Sequence, residues 1–275
     1  MADPRKQPQL IYNVDDVPPP VESLALGFQH YLIMFGATVA IPLILKDSLG
    51  IQDPAELGQL IGTMFFVSGI TTLLQTTFGN RLPIVQGGTF SLLASALAIC
   101  GMAELAEVGW QVRMQHIQGA IIVGAVVEMI LGYTGMVGAL VRFISPVIIA
   151  PTIALIGLSL VQIGAPQAGQ NWYIGGLTIV LIIAFSQYLR SVHRVFQLFP
   201  VVMAIAIAWA VAGICTYAGL FPEGHPAHVS TAAVADAPWI SVPYPFQWGM
   251  PVFGVAAIVG MLAGYIASIV ESLGD

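Results

Sequence analysis

The chain has 275 residues, of which 57% are hydrophobic and 8% charged, with a formal net charge of −6. An ordinary soluble domain is roughly 25% charged; here ten of the 22 charged residues fall in the first 56 positions, leaving twelve for the other 219. That is too few for a water-facing surface, and no basic patch is present, so a soluble enzyme, a disordered regulator and a nucleic-acid binder are excluded.

The sequence reads as an all-α polytopic membrane protein. Residues 1–23 form a polar tail containing Pro18, Pro19 and Pro20, with no signal-peptide pattern. A spanning helix needs about 20 mostly apolar residues. Leu24 to Leu45 and Leu57 to Phe78 fit the first two spans. The third runs from Leu82 to about Met102 and is interrupted by Gln86-Gly87-Gly88-Thr89. The fourth is expected at Ile117 to Leu140, with Glu128 inside it. The fifth covers Phe143 to Gly164, where Pro146 and Pro151 should disturb the start. Tyr173 to Leu189 and Leu198 to Leu220 follow. An eighth begins near Met250 and is still running at Asp275.

Three stretches lack Asp, Glu, Lys and Arg altogether: Phe143–Leu189, Val195–Pro222 and Ala237–Val270. Cys100 and Cys215 sit in apolar segments and suggest neither a disulfide framework nor a metal site. Asn-x-Ser/Thr does not occur, so no N-glycan is expected on this stretch. Placing the N-terminus inside puts Arg5, Lys6, Arg81, Arg142, Arg190 and Arg194 on the inner side, against Lys46 and Arg113 outside. The positive-inside rule therefore favours a cytoplasmic N-terminus.

Glu271 and Asp275 are four residues apart and share one helix face. Intramembrane carboxylates are costly and tend to be functional, so the pair reads as a substrate or cation site. The alternative is a helix that has already left the membrane. Ending a helix on two carboxylates suggests the N-terminal part of a longer protein. The Gly87-Gly88 break also admits two readings. It can line a cavity, where a half-helix N-terminus offers N–H groups and Phe90 stacks on a planar ligand. The other reading, which a Gly-Gly pair alone favours, is close helix packing. Gln29-His30, inside the first span, reads as interhelical hydrogen-bonding more than ligand contact.

Several motifs together resemble the nucleobase–ascorbate transporter family. They are Gly27-Phe28-Gln29-His30 with Met34-Phe35-Gly36-Ala37-Thr38-Val39, Arg81-Leu82-Pro83, and Glu271-Ser272-Leu273-Gly274-Asp275. Ile11 to Pro19, Ser186 to Arg190, Pro238-Trp239-Ile240 and Pro243-Tyr244-Pro245 look like its animal branch. The resemblance implies 14 segments in two inverted seven-segment repeats. This chain would hold the first repeat and the start of segment 8. Residues 1–23 would be a cytoplasmic tail, 24–140 core segments 1–4, 141–220 gate segments 5–7, 221–249 an extracellular loop and 250–275 the start of core segment 8.

By the same resemblance, Ala37, Gly88, Thr89, Phe90 and Glu271 are the substrate-binding residues. Asp275 is tied to the cation or to site geometry, and Gln29 and His30 to core integrity. Leu92 and Ser95 depart from relatives, which often carry an aromatic and a proline there. The implied function is secondary active transport of a nucleobase or ascorbate, with the core moving past the gate like an elevator. Gln86-Gly87-Gly88-Thr89 leans toward a nucleobase. Sodium is the expected coupling ion, with protons the alternative; no other cofactor and no nucleic acid is implied. The expected setting is the plasma membrane, and a homodimer is within the family's range. Two rivals stand beside this reading. One is a truncated, non-transporting protein that regulates a longer relative, or an incomplete gene model. The other is a seven-helix receptor, which the eighth span and the broken third helix oppose. No nucleophile–base set suggests an enzyme.

Overall fold

The computed structural model describes residues 16–79, 81–82, 84–141, 146–189, 191–192, 196, 199–231 and 242–272. Asp275, Pro83, Arg142, Arg190, Arg194, the Pro238-Trp239-Ile240 motif and the tail through Asp15 lie outside them. The secondary structure of the described residues is helical, with no strand among them.

Helix α1 spans Pro20–Leu49. Its first-turn proline gives up an N–H that the helix would leave unpaired anyway. Gly50 closes it at φ 87°, a left-handed conformation suited to glycine, and donates its N–H to Lys46 O at 2.9 Å. At ~1.5 Å per residue the helix is about 45 Å long, more than the ~30 Å hydrocarbon layer. Helix α2, Pro54–Phe78, is capped by Asp53, whose carboxylate accepts the Ala55 N–H at 2.8 Å.

The third segment is not a continuous helix. Residues 84–89 have no helical structure. A single 3₁₀ turn, Phe90–Leu92, then leads into α3, Leu93–Cys100. The helical part is only about 16 Å long.

Helix α4 spans Trp110–Tyr133, so it starts and ends seven residues before the expected bounds. The polar residues of its first turns, which look like loop, bond backbone groups. Arg113 is the clearest case. Its Nε donates to Leu105 O at 3.0 Å, its Nη1 to Ser48 O (3.0 Å) and Leu49 O (2.9 Å), and its Nη2 to Ala106 O (2.9 Å). The guanidinium thereby caps the C-terminal carbonyls of α1 and ties them to the loop before α4.

Next come α5, Met136–Val141, and α6, Pro146–Gly169, which continues through Pro151 and Pro166. Pro146 opens α6 instead of disturbing it, as a proline can at a helix's first position. Helix α7, Trp172–Ile183, is capped by the Asn171 side chain and passes into a π-helical turn at Ala184–Tyr188. Helices α8, Pro200–Tyr217, and α9, Val255–Ser272, complete the set. The eighth span thus starts five residues later than expected. Pro251 and the left-handed Phe246 and Gly249 hold the preceding stretch out of a helix.

Helices α1, α2, α4 and α8 are long and apolar enough to cross a membrane. Large apolar side chains face outward along them, among them Leu73 (67% exposed), Ile214 (68%) and Trp209 (64%). On a soluble protein these would form aggregation-prone patches; in a bilayer they face lipid. The protein is an integral membrane protein.

A buried cluster joins α1 (Ile41, Leu45, Leu49), α2 (Leu60), α3 (Leu93, Ile99), α4 (Met114, Ile117) and α9 (Met261, Tyr265). Met261 and Ile99 are fully buried in it. Helix α9 is fitted to α4 by small residues. A Cβ on Gly119 would overlap the carbonyl of Val252, and one on Gly124 would overlap the ring of Tyr265. The Tyr265 hydroxyl donates to Ile121 O at 2.9 Å. The Val252 N–H donates to Gln115 O (3.0 Å), and Gln115 Nε2 to Trp248 O (2.8 Å). Because the obstacle at Gly119 is backbone, Gly119→Ala should destabilise the protein by ~1–3 kcal/mol, the usual cost of overpacking. Thermal unfolding in detergent would register it, and an unchanged midpoint would remove that constraint.

Candidate functional site

Two of the sequence-predicted site residues, far apart in the chain, meet directly. Thr89 Oγ1 donates to Glu271 Oε2 at 2.8 Å. Thr89 lies at the end of the non-helical stretch and Glu271 near the end of α9. The approach is set two turns earlier on α9. A Cβ on Gly264 would stand 2.9 Å from Ser95 Oγ, 3.1 Å from Leu92 Cδ2 and 3.2 Å from Ser91 O. Any larger residue would push α9, and with it Glu271, away from the 3₁₀ turn. Leu92 and Ser95, the two departures noted in the sequence, are thus the side chains that α9 passes most closely at this point.

The local hydrogen bonds have a direction. A threonine hydroxyl has one proton, and Thr89 gives it to Glu271. In the 2.6 Å contact between Thr89 Oγ1 and Ser91 Oγ, Ser91 is therefore the donor. The Ser91 N–H also points to Thr89 Oγ1 at 3.2 Å. The chain runs Ser91 to Thr89 to Glu271 and ends on the carboxylate, with charge-assisted bonding at its end. Among the described residues Glu271 Oε1 accepts no hydrogen bond, which leaves it available to a ring N–H or a cation.

The walls come from α1, α2 and the 3₁₀ turn. Phe90 is half-buried against the apolar cluster. Gly88 turns its Cα toward α1 and α2; a Cβ there would stand 2.5 Å from Met64 Cε and 2.7 Å from Ile41 Cδ1. Gly87 is exposed, with the Thr38 hydroxyl 4.0 Å from where its Cβ would be. Thr38 is buried, whereas its neighbour Ala37 is exposed. Gln29 is half-buried and His30 exposed on α1, and neither side chain makes a hydrogen bond among the described residues. Asp275 lies outside the described residues.

Ser91 and Gly264 join the site without having been singled out in the sequence. One signal for Gly264 was present: Gly260 and Gly264 form the small-xxx-small spacing that lets helices approach closely. Ser91 has no comparable signature, because its role depends on the turn that folds it back onto Thr89.

A family model described as a permease family, Xan_ur_permease, matches residues 21–275. The chain is 42% identical to solute carrier family 23 member 2 of Rattus norvegicus, with 99% of this chain and 48% of the rat protein covered. It is 38% identical to solute carrier family 23 member 1 of the same species, covering 97% and 51%. Identity to nucleobase-ascorbate transporter 12 of Arabidopsis thaliana is 37%, covering 96% and 42%. The chain spans about half the length of the curated relatives it matches.

Proposed function

Because the chain belongs to the Xan_ur_permease family, we propose that it forms the first half of a secondary active transporter for a nucleobase or ascorbate. The observation that carries this reading is the Thr89–Glu271 hydrogen bond at the break in the third segment. It places an intramembrane carboxylate with an uncommitted oxygen beside unwound backbone. Carriers bind small polar solutes in such places, because irregular backbone is tolerated at membrane depth only when it lines a cavity or is buried. Glu271 accepts N–H or O–H groups of the substrate, and Phe90 covers its planar face. By the family resemblance, Gln86-Gly87-Gly88-Thr89 leans the reading toward a nucleobase.

Movement of a core past a gate is supported by the buried cluster. It draws on α1–α4 and α9, and of α6–α8 only Leu160 packs against it among the described residues. Sodium coupling, with protons as the alternative, and assembly as a homodimer rest on the family resemblance. So does residence in the plasma membrane. A cytoplasmic N-terminus rests on the distribution of Lys and Arg.

The test is uptake of labelled xanthine, uracil, uric acid and ascorbate in cells producing the protein, with and without sodium. Saturable uptake of one class supports the reading. No uptake, together with suppression of a longer co-expressed relative, would favour the regulatory alternative. Within an active carrier, Phe90→Ala should raise KM by ~3- to 10-fold, the equivalent of the ~0.5–1.5 kcal/mol typical of an aromatic pair. An unchanged KM would end the stacking role.

A further inference from the structure

The non-helical stretch at residues 84–89 has a backbone to satisfy inside the membrane. An α-helix pairs its own N–H groups; an extended strand without a neighbour does not. At Gln86 a side chain of α2 solves this. The Gln86 backbone N–H donates to Thr72 Oγ1 of α2 at 2.8 Å. The Thr72 hydroxyl proton is directed to Ser68 O, one turn back on α2, at 2.7 Å, with Gln86 O a more distant second acceptor at 3.4 Å. The hydroxyl therefore accepts from the unwound segment and donates into the helix at once. Both residues are half-buried.

The neighbouring threonines of α2 are different. Thr71 and Thr76 return their hydroxyls to carbonyls of their own helix, Val67 O and Thr72 O, both at 2.8 Å. Thr72 alone among these three reaches across. Its partner Gln86 is three residues from Thr89, and Gly87 and Gly88 between them give the segment little stiffness. Without a fixed point at Gln86, the stretch leading into Thr89 is held against α2 by the packing of Gly88 on Met64, while Thr89 itself is tied to the turn at Ser91.

We propose that Thr72 is a positioning residue, a latch whose hydroxyl holds the unwound segment against α2 so that Thr89 is presented to Glu271. The transport consequence rests on the carrier reading above; the latch itself does not. Thr72→Val keeps the side-chain shape and removes both hydrogen bonds, Thr72→Ser keeps the hydroxyl, and Thr71→Val is the control for loss of a hydroxyl on the same helix.

Hydrogen–deuterium exchange on the protein in lipid nanodiscs reads the latch directly. Peptides covering residues 84–89 should exchange about tenfold faster in Thr72→Val, as expected when a buried donor loses its partner. They should be unchanged in Thr72→Ser and Thr71→Val. In uptake, Thr72→Val should raise KM by roughly tenfold with little change in maximal rate, and Thr72→Ser should restore it. Unaltered exchange in Thr72→Val overturns the latch. Faster exchange with unaltered KM overturns its role in substrate binding. If the parent protein shows no uptake, the carrier reading fails, and the exchange result still decides the latch.

Discussion

Glu271→Gln is expected to lower uptake by ~10- to 100-fold, the equivalent of the ~1.5–3 kcal/mol carried by a hydrogen bond to a charged group. The amide keeps the size of the side chain, and its oxygen can still accept the Thr89 proton. What it loses is the negative end toward which the Ser91–Thr89 chain points. It also puts an NH₂ where a carboxylate oxygen would face the substrate's donors. The amount of protein at the cell surface should be unchanged, because Glu271 is only half-buried and the amide keeps both its size and an acceptor for Thr89. Thr89→Val should be milder, since it removes the donor and leaves the charge. Uptake within twofold of the parent in Glu271→Gln would remove the carboxylate from the site.

The second large effect concerns stability. Arg113 gives hydrogen bonds to four backbone carbonyls, two of them at the C-terminal end of α1. Arg113→Met leaves those acceptors without their donor and should cost on the order of 3 kcal/mol. For a protein of this size that corresponds to a drop of roughly 6–12 °C in apparent melting temperature. Arg113→Lys should recover less than half of the loss. An ammonium keeps the favourable charge at the end of α1, but it lacks the planar fork that reaches both sides of the loop. A shift below about 2 °C in Arg113→Met, which is under ~1 kcal/mol at this size, would show that water replaces the guanidinium without penalty.

The membrane architecture was legible in the sequence because it depends on composition alone: few charges and long apolar runs. The break in the third segment was also legible, since Gln86-Gly87-Gly88-Thr89 combines poor helix formers with polar groups. Less visible was where α4 begins. Gln111, Arg113, Gln115 and His116 read as loop, yet Arg113 and Gln115 turn to carbonyls supplied by residues 48, 49, 105, 106 and 248. Those at 48, 49 and 248 are close in space and distant in sequence, so no local pattern announces them. The site divides in the same way. Glu271 stands out as a carboxylate in an apolar stretch. Thr72 looks like any other threonine of α2 until Gln86 is placed beside it.

The distance along the chain between Thr89 and Glu271 bears on how the protein is made. Helices α3 and α4 enter the membrane early in synthesis, with Gly119 and Gly124 leaving a groove along α4 that only the stretch around Val252 and the ring of Tyr265 fill. Tyr265 is translated roughly 140 residues after Gly124, on the order of 10 s later at elongation rates of ~5–20 residues per second. For that interval the groove is lined by lipid or by the insertion machinery, and the Thr89 hydroxyl has no carboxylate. The Thr89–Glu271 contact therefore forms only after α9 has followed α3 and α4 into the membrane, and nascent chains stalled before α9 would present an open groove that membrane quality control could distinguish from chains in which it is filled.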